Sequence, residues 1–168
     1  MNNSEIISNV LRFVLLVLLQ VLILNHINFL GYINPYVYIL FILVFPLDGN
    51  KSLLIFLSFL LGLSIDMFGD SGGVHAAASV FIAFVRPVIL KFSFGVSYEY
   101  NMIRINKAAV AERLVYISIM VLLHHLVLFS LEIFSLKHIL LLVKSTVYSG
   151  IFSIVLIFCT LLLFSRKP

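Results

Sequence analysis

Apolar residues fall in long blocks along this chain, separated by short polar breaks. A membrane helix needs about 20 apolar residues, fewer when neighbours bury it. By that measure the blocks predict six helices, over 6–24, 33–47, 53–68, 74–92, 111–134 and 139–164. Asn25-His26-Ile27-Asn28 closes the first, and Pro35 and Pro46 bracket the short second. A turn at 48–51 precedes the third, and the glycine-rich link 69–73 precedes the fourth. No stretch alternates with period two over ~10 residues, which argues against a membrane β-barrel. In lipid the backbone then satisfies itself within helices. The expected fold is an all-α, six-helix transmembrane bundle forming one domain over residues 1–168.

Composition points the same way. The 168 residues are 62% hydrophobic and only 11% charged, and the mean hydropathy is +1.19. Soluble domains carry roughly 25% charged residues, so a soluble enzyme, a nucleic-acid reader and a disordered regulator are all poor fits. The surroundings implied are membrane lipid. The net charge of +4 then reads as a topology signal. With both termini inside, the inner side holds Arg12, Lys51, Lys91, Arg104, Lys107, Arg113, Arg166 and Lys167, while Lys137 alone lies outside. Both termini are therefore expected in the cytoplasm, with 93–110 as an inner loop. The first nine residues lack a basic stretch and no small-residue cleavage site follows, so the first block reads as a retained helix. The single cysteine, Cys159, lies in an apolar run and reads as a small hydrophobe.

Polar residues within the spans each need a reason. Ser58, Gly62 and Asp66 recur every fourth residue, giving one small, polar helix face suited to close packing. The plain reading of Asp66 is an interfacial carboxylate ending that seam; the sharper one has it fix the hairpin or dock a partner. Arg86 lies too deep to reach Asp66 and is expected to snorkel inward or to meet Glu99 or Glu112. Pro87 should bend the fourth helix, while Ala76, Ser79 and Ala83 would let a neighbour approach. Ser118, His125 and Glu132 share a face of the fifth helix, and Ser145, Ser149 and Ser153 share one of the sixth. Both read as interhelical hydrogen-bonding faces, the alternative being a solute cavity or a proton relay through His125 and Glu132.

Two patterns mislead. GDSGG at 69–73 spells the serine motif of trypsin-like proteases, whose chemistry needs a soluble β-fold and a histidine oriented on the serine; here it describes a tight turn. His124 and His125 are adjacent, so on a helix they diverge by about 100° and cannot chelate one metal together. Neither a metal, a cofactor nor a catalytic residue is expected.

The run FLLGLSIDMFGDSGGVHA at 59–76, followed by an alanine-rich helix and Arg86-Pro87, resembles the MreD family of rod shape-determining membrane proteins. NPYVY at 34–38 and FPL at 45–47 resemble its Bacteroidetes members. Matching positions are Gly62, Asp66, Gly73, His75, Ala76, Arg86 and Pro87; the chain departs at Asp70-Ser71-Gly72, where many relatives carry a Thr/Ser-Pro-like turn. The resemblance implies a non-enzymatic subunit of the cell-elongation machinery in the bacterial cytoplasmic membrane. It would bind MreC and act with MreB, RodA and a class B penicillin-binding transpeptidase in peptidoglycan synthesis and cell shape. The family also looks, at fold level, like the substrate-binding subunits of energy-coupling-factor vitamin transporters, so a small-ligand-binding subunit is the alternative. An intramembrane hydrolase using Asp66 and Asp70 is a third. Under the first reading, Ser58, Gly62, Asp66, Gly73, His75, Ser79, Ala83, Arg86 and Pro87 are the structural or partner-binding candidates; a single-pass partner is expected to meet small residues on a helix face, with some of them spent within the bundle.

Overall fold

The computed structural model describes residues 3–31, 33–47, 49–95, 105, 108–134 and 138–164. They form six α-helices: α1 Asn3–Leu22, α2 Leu40–Val44, α3 Lys51–Gly69, α4 Val74–Phe94, α5 Val110–Ile133 and α6 Ile139–Phe164. Short 3₁₀ turns cover Leu24–His26 and Val37–Ile39, and an isolated bridge joins Phe29 to Ile33. Five helices, all but α2, are long and apolar enough to cross a membrane. The protein is thus an all-helical, multi-pass membrane protein by length and composition. The inner loop expected at 93–110 lies mostly outside the described residues, as do Lys137, Arg166 and Lys167.

The second expected span is different in kind. Residues 33–47 form an extended entry, one 3₁₀ turn and the five-residue α2 rather than a membrane-length helix. Pro35 and Pro46 bracket it, as the sequence indicates, but its brevity has a tertiary cause. Tyr38, Ile39, Phe41, Ile42, Leu43 and Phe45 are each at most 1% exposed. The segment is the bundle's axis, so it needs no lipid-facing side and none of the length that crossing lipid demands.

Around it, α3 packs on α4, α4 on α5 and α5 on α6, each an antiparallel neighbour, while α1 leans on α3 and the central segment. Side chains along α1 fix the direction of that segment. Gln20 holds Pro35 and Val37, whereas Val44 and Pro46 border a crevice with Ser4, Ser8 and Arg12. Residues 35–46 therefore run antiparallel to α1. Leu53 and Leu57 line a groove with Ile6 and Val10, so α3 starts beside the start of α1. Thr160 and Leu161, near the end of α6, line another with Leu11 and Leu15.

Outward faces are apolar, as lipid requires: Phe84, Val88 and Phe92 of α4 are about 70% exposed (70%, 68% and 73%). α4 runs unbroken through Pro87.

Candidate functional site

Asp66, Arg86, His125, Ser149 and Ser153, polar groups expected in the spans, find their partners around the α3–α4 turn or the central segment. At the turn, α3 ends on Asp70 in the left-handed conformation (φ 51°), whose N–H returns to the Asp66 carbonyl. Gly72 (φ 69°) and Gly73 (φ 95°) then reverse the chain. Gly73 leads into α4 without a side chain to cap it, so the first amides of α4 need another acceptor. Asp66 supplies it across the hairpin. Its Oδ1 accepts from His75 N at 3.1 Å and from Ser71 Oγ at 2.5 Å, and its Oδ2 accepts from Ala76 N at 2.8 Å. A carboxylate at a helix N-terminus also meets the positive end of the helix dipole. Asp66 is 4% exposed, so it fixes the hairpin, the sharper of its two readings. Ser71 donates to that carboxylate and not to a histidine ring.

Gly62 lets this happen. A Cβ placed there would lie 2.5 Å from Ala76 Cα and 2.5 Å from His75 O, so α3 touches the backbone of α4 at that point. Ser58, Ser79 and Ala83 are likewise turned inward, at 0%, 0% and 3% exposure. Their small size is spent within the bundle, where it lets α3, α4 and the central segment close up.

The extended entry to the central segment has backbone groups that no helix satisfies, a costly state at membrane depth. Side chains from two helices supply the partners. Asn34 N donates to Ser149 Oγ (3.2 Å) and Tyr36 N to Ser153 Oγ (2.9 Å) on α6. On α1, Gln20 accepts from Val37 N (3.0 Å) and donates to Pro35 O (3.0 Å). The α6 serine face is therefore a hydrogen-bonding seam, with the central segment as its partner.

The far end of the segment is held by Arg86. Its Nη2 donates to Phe45 O at 2.5 Å and Leu43 O at 3.3 Å, and its Nε to Tyr116 Oη at 3.1 Å; Tyr116 in turn donates to Leu43 O. These are the open carbonyls at the end of α2, where a cation also meets the negative end of the helix. At 4% exposure Arg86 does not snorkel, which corrects that expectation. Its place is taken by carbonyls and a phenol instead of Glu112; Glu99 lies outside the described residues.

Between the two ends sits a cluster of rings. Tyr38 Oη lies 2.9 Å from His75 Nδ1 and 2.8 Å from His124 Nε2. Tyr36 packs against His75, His124 and His125 with ring centroids 5.3–6.4 Å apart. His125 Nε2 reaches Ser153 Oγ at 3.1 Å and its Nδ1 the Val121 carbonyl. Both adjacent histidines thus face inward, and Glu132 is exposed, two turns beyond them. The relay through His125 and Glu132 is not assembled; the hydrogen-bonded chain runs His75–Tyr38–His124. Among the described residues no group of three or more His, Cys, Asp or Glu is placed to hold a metal ion.

Gln20, Tyr38, Tyr116 and His124 carry this site, and the sequence reading gave them no role. Gln20 left a signal, being one amide inside the apolar run 13–24. The tyrosines left none, because Tyr is common wherever a ring is half wet. No family model matches the chain, and neither does any curated protein or solved structure.

Proposed function

We propose that this protein is a non-enzymatic subunit of the bacterial cell-elongation machinery, of the MreD type, that binds the single-pass protein MreC in the cytoplasmic membrane. The observation that carries this reading is how the residues of the resemblance are used. Gly62, Asp66 and Gly73 shape the α3–α4 hairpin itself, and His75 and Arg86 tie α4 to the central segment. Tyr38, Phe41, Phe45 and Tyr116 fill the interior. A filled interior with apolar grooves outside suits a scaffold better than a carrier of a small ligand. In this reading both termini are cytoplasmic, as the lysine and arginine distribution asks and as a traversing segment 35–46 allows.

With the small residues turned inward, MreC would have to use an outward face. The broad one on α4, carrying Phe81, Phe84, Val88 and Phe92, is the candidate. Without a hydrophobic gain in lipid, the affinity must come from packing. Replacing Phe84 and Phe92 together by alanine should lower co-purification of MreC from mildly solubilised membranes, with the subunit's abundance unchanged. Undiminished co-purification from this variant, combined with loss on replacing the loop 96–107, would move the contact to the cytoplasm. Failure to recover MreC with the unaltered protein would sink the reading, and a tightly bound small molecule in its place would favour the transporter-like alternative.

A further inference from the structure

Near the start of α1 the surface carries a polar crevice of about 240 Å³, bordered by Ser4, Glu5, Ser8, Asn9, Arg12, Val44 and Pro46. Two apolar grooves share lining residues with it. One, of about 520 Å³, shares Asn9 with the crevice and passes between α1 and α3 along Val10, Phe13, Leu57 and Leu60. The other, of about 590 Å³, shares Ser8, Arg12 and Val44 and passes between α1 and α6 along Leu15, Leu19 and Leu161. The end of the central segment separates them.

The crevice gathers hydrogen-bond donors. Arg12 is half-buried, and its Nη1 donates to Asn9 Oδ1 at 3.1 Å. Arginine can only donate, so the Asn9 oxygen faces it and the amide NH₂ is the other end. That NH₂ is buried and has no partner among the described residues, in a side chain only 7% exposed. Bordering one opening in a membrane protein, the half-buried cation favours an anion and the orphaned amide needs an acceptor, and one anionic oxygen-rich group supplies both. Glu5 borders the same crevice. Its carboxylate disfavours a doubly charged phosphomonoester and leaves a singly charged phosphodiester as the better fit.

We propose that this is a site for a glycerophospholipid of the leaflet at the start of α1. The phosphodiester would sit against Arg12, Asn9 and Ser8, with one acyl chain in each groove. In the α1–α6 groove the length agrees: Ser8 to Leu19 spans eleven residues, ~16 Å along a helix, and one leaflet of a ~30 Å hydrocarbon core is about half of that thickness. A single-pass helix is the other occupant an apolar groove can take, but it would bring no acceptor for Arg12 and Asn9 unless it carried a carboxylate at that depth.

Native mass spectrometry of the intact protein, released from detergent with added phosphatidylglycerol, diacylglycerol of the same chains, or inorganic phosphate, tests this. Phosphatidylglycerol should be retained roughly tenfold over diacylglycerol, equivalent to about 1.4 kcal/mol, and inorganic phosphate should not displace it. R12Q and N9L should each lower retention towards that of diacylglycerol, R12K should keep most of it, and L15W should lower it by filling a groove while sparing the crevice. The L15W arm holds even where a crevice variant folds poorly. Equal retention of diacylglycerol, displacement by inorganic phosphate, or unchanged binding by R12Q, N9L and L15W would each overturn the site. So would a partner helix that crosslinks to Leu15 and Leu57 and excludes lipid.

Discussion

Two charged residues, Asp66 and Arg86, show at the residue scale how a charge is kept inside this bundle. Each serves main-chain groups at a helix end in place of an opposite charge. Replacing Asp66 by alanine leaves the His75 and Ala76 amides buried without acceptors, at about 1–3 kcal/mol per orphaned group. D66A should therefore lower the midpoint of detergent-induced unfolding, and D66N, which keeps one carbonyl acceptor, should lower it less. Equal midpoints for D66A and the unaltered protein would remove the cap from the account. Arg86 is subtler, since deleting a buried charge also relieves its desolvation. R86M still strands the carbonyls of Leu43 and Phe45, so it should destabilise by about 1–3 kcal/mol. R86K keeps the charge but loses the Nε bond to Tyr116, and should fall between. The sequence made both residues visible as costly charges; the partners of Asp66 lie only 5 to 10 positions on, across one turn, whereas those of Arg86 lie 30 to 43 positions away.

Residues 33–47 carry the lesson at the element scale. Their apolar run, bracketed by prolines, is as good a short helix as hydropathy can describe, yet only 37–44 is helical. Periodicity reports what a segment can bury, not whether it is buried on one side or all round. Here Gln20, Ser149 and Ser153 meet backbone groups that a full helix would have satisfied itself. Q20L should therefore expose the cost of an unfinished helix, stranding Val37 N and Pro35 O at about 1–3 kcal/mol each. S153A, removing the acceptor of Tyr36 N and the contact to His125, should be milder, because it strands one backbone group where Q20L strands two. Both are read from the same unfolding midpoints; an effect of S153A exceeding that of Q20L would reverse the assignment of the main support to α1. G62A belongs here too, because its methyl meets the backbone of α4 and not a side chain that could move. It should loosen the hairpin more than A77S, at an exposed position on the same helix as the contact.

At the scale of the whole molecule, the proposed topology has both ends of the chain in the cytoplasm. α1 and α3 start together, α6 ends beside the first half of α1, and 35–46 runs back between them. Single cysteines at Ser71, Asn101 and Ser165, in a background with Cys159 replaced, report this through an impermeant thiol reagent on intact cells. Ser71 should label, and Asn101 and Ser165 should be protected until the membrane is opened. Labelling of Asn101 with protection of Ser71 would invert the topology, and opposite outcomes at Asn101 and Ser165 would break the shared side of the ends.

The sequence by itself determined the solvent, because 11% charged residues cannot clothe a water-facing surface. It also determined the five long helices, to within a few residues at most ends, since each needs its own uninterrupted apolar length. The tight turn at 69–73 was legible from its glycines and Asp70, for Gly and, to a lesser degree, Asp are the residues that enter positive φ most readily. Tertiary structure alone decided what was inside. Ser58, Gly62, Ser79 and Ala83 form small faces that suit a partner or a neighbour equally, and which they meet depends on how helices are rotated in the bundle. The same rotation turns His124 and His125 both inward, sets Tyr38 between His75 and His124, and makes 34–45 an axis held at both ends. Local patterns fix where a helix can form; the direction each face points is set by the sum of all the contacts, and no window of sequence contains that sum.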